Sequence, residues 1–206
     1  MTTLLAAAFL ISPQSANFFP LESGQTWEYL ITVASSIVRV RQVQKTLPAQ
    51  TFDGAPATPL EMYLDGKIDT TGYYRVVGGF VCLVGFTGTT QLSEPIKVVP
   101  TDPKKGQKWA FEGQQMMLGG MVTAKVESRI TTDAEVEVFG KKVRCITIET
   151  KSSLGEGDMA FTSVTTEVYG AGIGLVNRRQ ESTPGKNSKR KSIALTTLVR
   201  HDKEGG

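Results

Sequence analysis

Apolar and polar positions alternate with a period of two through much of the chain. Between Met121 and Ile130, Val122, Ala124, Val126 and Ile130 share one side, while Thr123, Lys125, Glu127 and Arg129 share the other. That pattern predicts a strand with one buried face. Val38 and Val40 alternate with Arg39 and Arg41, and Val136 and Val138 with Glu135 and Glu137. Further strands are predicted over Trp27–Ala34, Leu60–Leu64, Gly72–Val77, Phe80–Phe86, Ile96–Val99 and Lys108–Met117. The rest of the chain adds Lys142–Thr150, Ala160–Tyr169, Gly174–Arg179 and Ser192–Arg200. Turn chemistry separates these runs at Asp65-Gly66, Gly78-Gly79, Gly119-Gly120, Gly140-Lys141, Gly155-Glu156-Gly157 and Pro184-Gly185. No window past residue 17 carries an apolar 3.6-residue repeat long enough for a helix of three turns. The fold class is all-β, an antiparallel meander.

Composition agrees. Threonine, valine and isoleucine supply 53 of the 206 residues, and β-branched side chains favour pleated sheet. The net charge of +3 is uneven, with eight Lys/Arg against three acids from Asn177 onward. The cluster Lys186-Asn-Ser-Lys189-Arg190-Lys191 follows Pro184-Gly185 and reads as a charged hairpin tip. A nucleic-acid groove would need basic residues on several elements, so no nucleic-acid partner is expected. At the N-terminus, the apolar run Leu4–Ile11 has eight residues, too few to span a bilayer. It reads as the core of an export segment over residues 1–16, ahead of a single β domain at 17–200 and a flexible tail at 201–206. The expected location is periplasmic or secreted, with the cytoplasm as the alternative. Cys82 and Cys145 fall within apolar runs, and export leaves open whether they form a disulfide or two buried thiols.

A short internal repeat crosses this pattern. Gly24-Gln25-Thr26-Trp27-Glu28-Tyr29 and Gly106-Gln107-Lys108-Trp109-Ala110-Phe111 share Gly-Gln-x-Trp-x-aromatic and hold the only two tryptophans. It reads either as the opening of two related half-sheets or as one strand-start used twice. The segment Phe19-Pro20-Leu21-x-x-Gly24-x-x-Trp27-x-Tyr29 also resembles the opening of a poorly characterised family of exported bacterial β proteins. Those proteins later carry a Tyr-Ala-Pro-Gly-Val-Gly-Leu-Val strand, and Tyr169-Gly170-Ala171-Gly172-Ile173-Gly174-Leu175-Val176 resembles it, with Gly-Ala in place of Ala-Pro. Glu135–Phe139 through Cys145–Ile148 is similar to the hairpin that precedes that strand. The resemblance implies a meander curled into an open barrel or half-barrel, broadly like the lipoprotein carriers LolA and LolB. It implies no catalytic residues.

Candidate chemistry is sparse. Gly170-x-Gly172-x-Gly174 precedes more strand rather than a helix, so it lacks the context of a phosphate loop. One histidine, His201, and two cysteines exclude most transition-metal sites, and no metal or cofactor is expected. Asp133, Glu135 and Glu137 face Lys142 and Arg144 across a turn and read as solvated cross-strand pairs. The anomaly is apolar chemistry at two turns, Val76-Val77-Gly78-Gly79-Phe80-Val81 and Met116-Met117-Leu118-Gly119-Gly120-Met121. Either another segment covers them, or Phe80, Met117, Leu118 and Met121 form one apolar rim for a lipid-like ligand, a membrane or an envelope protein segment. Two functions follow, both non-enzymatic: a carrier with an apolar interior, or an accessory scaffold with a packed one. A cavity of about 300 Å³ or more lined by Val, Phe and Met would mark the carrier.

Overall fold

In a computed structural model the chain is described over residues 17–34, 36, 39–88, 92, 94–117, 120–155, 160–185 and 191–203, with the backbone alone for 115–117 and 120–121. Residues 1–16, Leu118, Gly119, most of the basic cluster, at 186–190, and the last three residues lie outside that description. Thirteen strands follow in order: β1 (Gln25–Val33), β2 (Arg39–Thr46), β3 (Gln50–Phe52), β4 (Ala55–Leu64), β5 (Lys67–Val77), β6 (Phe80–Phe86), β7 (Ile96–Pro100), β8 (Lys108–Met117), β9 (Gly120–Val138), β10 (Lys141–Leu154), β11 (Phe161–Gly170), β12 (Gly174–Pro184) and β13 (Ser192–Lys203). There is no helix among the described residues.

All strands except β3 follow one antiparallel path, β7-β6-β5-β4-β2-β1-β13-β12-β11-β10-β9-β8, and β3 pairs with β4. The path curls into a nearly closed barrel with one unsealed seam between its edge strands, β7 and β8. The antiparallel order sorts the connections between two ends. The β5–β6, β7–β8, β9–β10 and β11–β12 turns share one end with the segment from Asn17 to Gly24, the strap. The β4–β5, β8–β9, β10–β11 and β12–β13 connections share the far end.

Several boundaries differ from the sequence expectation for local reasons. The spans read as Met121–Ile130 and Glu135–Val138 are one strand, β9. A bulge opposite Thr147 and Ile148 inserts Thr131 and shifts the alternation by one residue, which imitates a break. Strand β4 begins at Ala55, ahead of Pro56 and Pro59, where prolines argue against a strand. Strand β13 continues to Lys203, pairing His201 with Trp27 and Asp202 with Thr26. Residues 201–203 therefore belong to the sheet rather than to a tail.

The main core gathers Phe18, Trp27, Tyr29, Leu60, Val99, Trp109, Ile130, Ile146, Ile148, Tyr169, Leu175 and Leu198 inside the barrel. The strap closes one end of it. The Gly172 amide donates to the Asn17 carbonyl (2.7 Å), Thr46 Oγ1 donates to the Glu22 carbonyl (2.6 Å), and Phe18 is buried. A smaller cluster of Ala57, Cys82 and Val84 takes in Tyr73, whereas its neighbour Tyr74 packs on the main core. The two clusters thus occupy opposite faces of β5. Phe52 of β3 covers the small one, stacked on Tyr73 at 4.1 Å. A Cβ on Gly85 would stand 2.4 Å from the Phe52 ring, so only glycine lets β3 lie down there. Cys82 and Cys145 are both buried free thiols, and burial raises the pKa of each.

Candidate functional site

Strand β1 opens after Gly24, whose φ of 83° suits glycine, and alternation then turns Gln25, Trp27 and Tyr29 inward, all buried. Trp27 Nε1–H donates to the Ile173 carbonyl, and the Tyr29 hydroxyl donates to the Leu175 carbonyl (3.1 Å). Gly174 lies at φ 92°, and a Cβ there would stand 3.3 Å from Trp27 Nε1 and 3.5 Å from Pro20 Cδ. Phe19 completes the floor, 5.2 Å from Tyr74 and 6.3 Å from Tyr169 between ring centroids. The two segments that carry the sequence resemblance, far apart along the chain, therefore meet at the strap end. The three-glycine run is the β11–β12 turn that receives Trp27. The space left beside Phe19, Trp27, Tyr29, Leu60 and Leu175 holds only about 20 Å³.

Above this aromatic floor the interior turns polar. Glu167 and Arg178 oppose each other in the β11–β12 register, and Arg178 donates from Nε (2.8 Å) and Nη2 (2.6 Å) to one carboxylate oxygen, Oε1 of Glu167. The pair lies deep within the barrel, yet 37% of the Arg178 side chain and 13% of Glu167 remain accessible. Water therefore reaches it through the interior. The Glu167 charge raises the guanidinium pKa further. Burial is the chief cause that raises the Tyr29, Tyr74 and Tyr169 phenols, Tyr74 to about 12, and all three sense both charges. Beyond the pair come hydroxyl contacts, Ser128 with Thr150 (2.9 Å) and Ser152 with Ser163 (2.7 Å). Sequence reading passed over Glu167 and Arg178. A usable signal existed, since Glu167 stands two residues before Tyr169 and shares its face.

No nucleophile–base pair emerges at His201. Its ring stacks on Trp27 at 5.5 Å, and Nε2 lies 2.8 Å from Gln25 Oε1, so it is packed as part of the wall. Among the described residues, no group of three His, Cys, Asp or Glu could hold a metal ion.

The residues expected to form an apolar rim are separated. Phe80 stands at the seam, its ring 5.5 Å from that of Trp109 and 5.2 Å from Lys97 Nζ. Met117 and Met121 belong to the β8–β9 hairpin, where Met117 pairs with Gly120 and Met121 with Met116. Leu118 lies outside the described residues. The β5–β6 and β8–β9 turns occupy opposite ends of the barrel, because three strands, an odd number, separate them. One shared opening is therefore ruled out. An open groove of about 460 Å³ does exist at the strap end, lined by Phe18, Phe19, Leu21, Val76, Val81 and Val99 among others.

The outer wall is charged. Arg39, Arg41, Lys125, Glu127 and Arg129 all point outward and are exposed, the reverse of the apolar belt that a membrane-crossing barrel requires. No helix of the described residues is long and apolar enough to cross a membrane.

No protein-family model matches the sequence, and no curated protein matches it. The fold is shared with known structures. A protein of Bacteroides fragilis NCTC 9343, provisionally described as exported and of YmcC-like fold, superimposes with a TM-score of 0.51 over 91% of this chain and 100% of its own, at 13% identity. A provisionally named lipoprotein of Parabacteroides distasonis covers 92% of this chain and 100% of its own, with a TM-score of 0.42 at 12% identity. The hypothetical lipoprotein YmcC of Escherichia coli K12 covers 88% of this chain and 89% of its own, with a TM-score of 0.36 at 9% identity. At such identities the likeness concerns the fold.

Proposed function

We propose that this chain is an exported, non-enzymatic cell-envelope protein whose barrel, tightly packed at its aromatic floor and wet around its inner ion pair, is a scaffold acting through its surface. The observation that carries this reading is the barrel interior, because the roughly 460 Å³ groove at the strap end, though lined by Phe and Val, is open rather than an enclosed cavity. The space beside Trp27 and Tyr29 is about 20 Å³, room for about one water and far below the roughly 300 Å³ of a small-molecule pocket. Beyond it the Glu167–Arg178 ion pair crosses the path a lipid tail would follow, and burying apolar chain against that pair would strip it of water. The apolar run Leu4–Ile11, the water-facing outer wall and the exported description of the Bacteroides protein of the same fold support export. Titration with a fluorescent fatty-acyl probe tests whether the interior takes an apolar ligand. No saturable signal is expected. A saturable one-to-one signal abolished by Leu60→Trp would place the ligand inside the barrel and overturn this reading.

A further inference from the structure

Exposed apolar side chains gather at the strap end. The β9–β10 turn is Phe139-Gly140, with φ values of 50° and 74°, and Phe139 is 56% exposed. Three sister turns have the same pair of positive φ values, and Asp53, Asp65 and Gly78 hold the position of Phe139 there. Those are residues that visit the left-handed region readily, whereas an aromatic residue there is an outlier. Packing does not explain the outlier, because the ring faces water. On the same hairpin Val136 is 43% exposed, and at the β5–β6 turn Val76 and Val77 are 59% and 38% exposed. The two turns flank the β7–β8 connection, which carries the exposed Lys104 and Lys105, and Lys141 and Lys142 follow Phe139.

This rim is ordered. The Thr101 amide donates to the Gly79 carbonyl (2.9 Å), the Ala171 amide to Arg144 O (2.9 Å) and the Gly172 amide to Asn17 O (2.7 Å). Most of its acids stand next to lysine or arginine: Asp133 is bonded to Arg144, Asp102 is near Lys104, and Glu137 and Glu135 pair in register with Lys142 and Arg144, while Glu22 accepts from Asn17 and Gln25. Asn17 lies at this end, so the sixteen residues before it, with the apolar run Leu4–Ile11, join the barrel here.

We propose that the strap end is a docking rim for an anionic lipid surface. Phe139, Val136, Val76 and Val77 enter the headgroup boundary while Lys104, Lys105, Lys141 and Lys142 meet the phosphates. Apolar tips ringed by lysine are the chemistry of interfacial binding. The barrel then stands upright, with its charged wall in water. The proposal concerns the outside of the barrel and stands whether or not the interior is filled.

Co-sedimentation with vesicles of phosphatidylcholine and phosphatidylglycerol, against phosphatidylcholine alone, tests it. Expected are binding to the anionic vesicles that weakens with salt, and a fall of about tenfold or more in Phe139→Asn combined with Val136→Thr. Asparagine suits the left-handed turn, so this variant should melt no lower than the parent, which separates docking from folding. Ile68→Ser removes an apolar side chain that is 60% exposed at the far end and should bind like the parent. Absence of vesicle binding, parental binding by the rim variant, or equal loss in Ile68→Ser would overturn the proposal.

Discussion

The barrel has two junctions where one half of the chain meets the other, and each is marked by a tryptophan. Strands β1 to β7 form the first half and β8 to β13 the second, so β1 and β8 each open a half. Gly24 and Gly106 turn the chain at φ 83° and 85°, and Trp27 and Trp109 are both buried. Each indole N–H donates to a backbone carbonyl, of Ile173 and Lys97 respectively. There the likeness ends. At the first junction β1 and β13 share a full ladder of partners, and Trp27 is stacked on His201 and enclosed by the strap and Gly174. At the second, β7 and β8 share no ladder among the described residues, and the Trp109 side chain and the tilted Phe80 ring bridge the gap. A strand-start motif can thus be repeated while only one copy is sealed.

The largest expected effect breaks this comparison directly. Trp27→Ala should cost about 3–5 kcal/mol in denaturant unfolding, because cavity and lost burial add. Trp109→Ala should cost about 2–3 kcal/mol, since its surroundings at an open seam can relax. Equal losses would mean that the seam is as tightly packed as the ladder. Next, Glu167→Gln should cost about 1–3 kcal/mol, below the full penalty of breaking a buried pair, because water already reaches Arg178. Gly24→Ala and Gly106→Ala should then each cost about 1 kcal/mol, the left-handed penalty, and cost the same. Unequal values would show that the turns differ in more than their surroundings.

The smallest effect belongs to His201 alone. Burial lowers its pKa, so the folded state prefers the neutral ring. Its stability contribution is intact above the unfolded value near 6.5 and is lost as pH falls from there through the folded value. His201→Gln should flatten that loss, and acid quenching of Trp27 fluorescence should disappear with it. A parental pH profile in the variant would remove His201 from this account.

The strand pattern was legible because one face of nearly every strand is buried and the other is wet, as in β9, where Lys125, Glu127 and Arg129 alternate with Ala124, Ser128 and Ile130. What hid was whatever breaks a period of two. The Thr131 bulge divided β9 in the reading, and the prolines of β4 concealed its start together with the short β3. The apolar turns stand out in the sequence, but a strand pattern does not say at which end a turn lies until the strands are counted. Phe80 consequently belongs to the seam, and Val76 and Val77 to a rim shared with Phe139. Glu167 and Arg178 were missed because polar residues on an inward face read as surface.

The sequential order of strands around the barrel also bears on assembly. Every junction but one joins strands close along the chain, whereas β1 must find β13, with Thr26 opposite Asp202. Each half can therefore form hairpin by hairpin, and the costly loop closure is deferred to a single zipping step. Cutting the chain between Asp102 and Gly106 would sever no ladder. Two separately produced fragments, each a six-strand meander along the path, should recombine through their terminal strands into the same barrel.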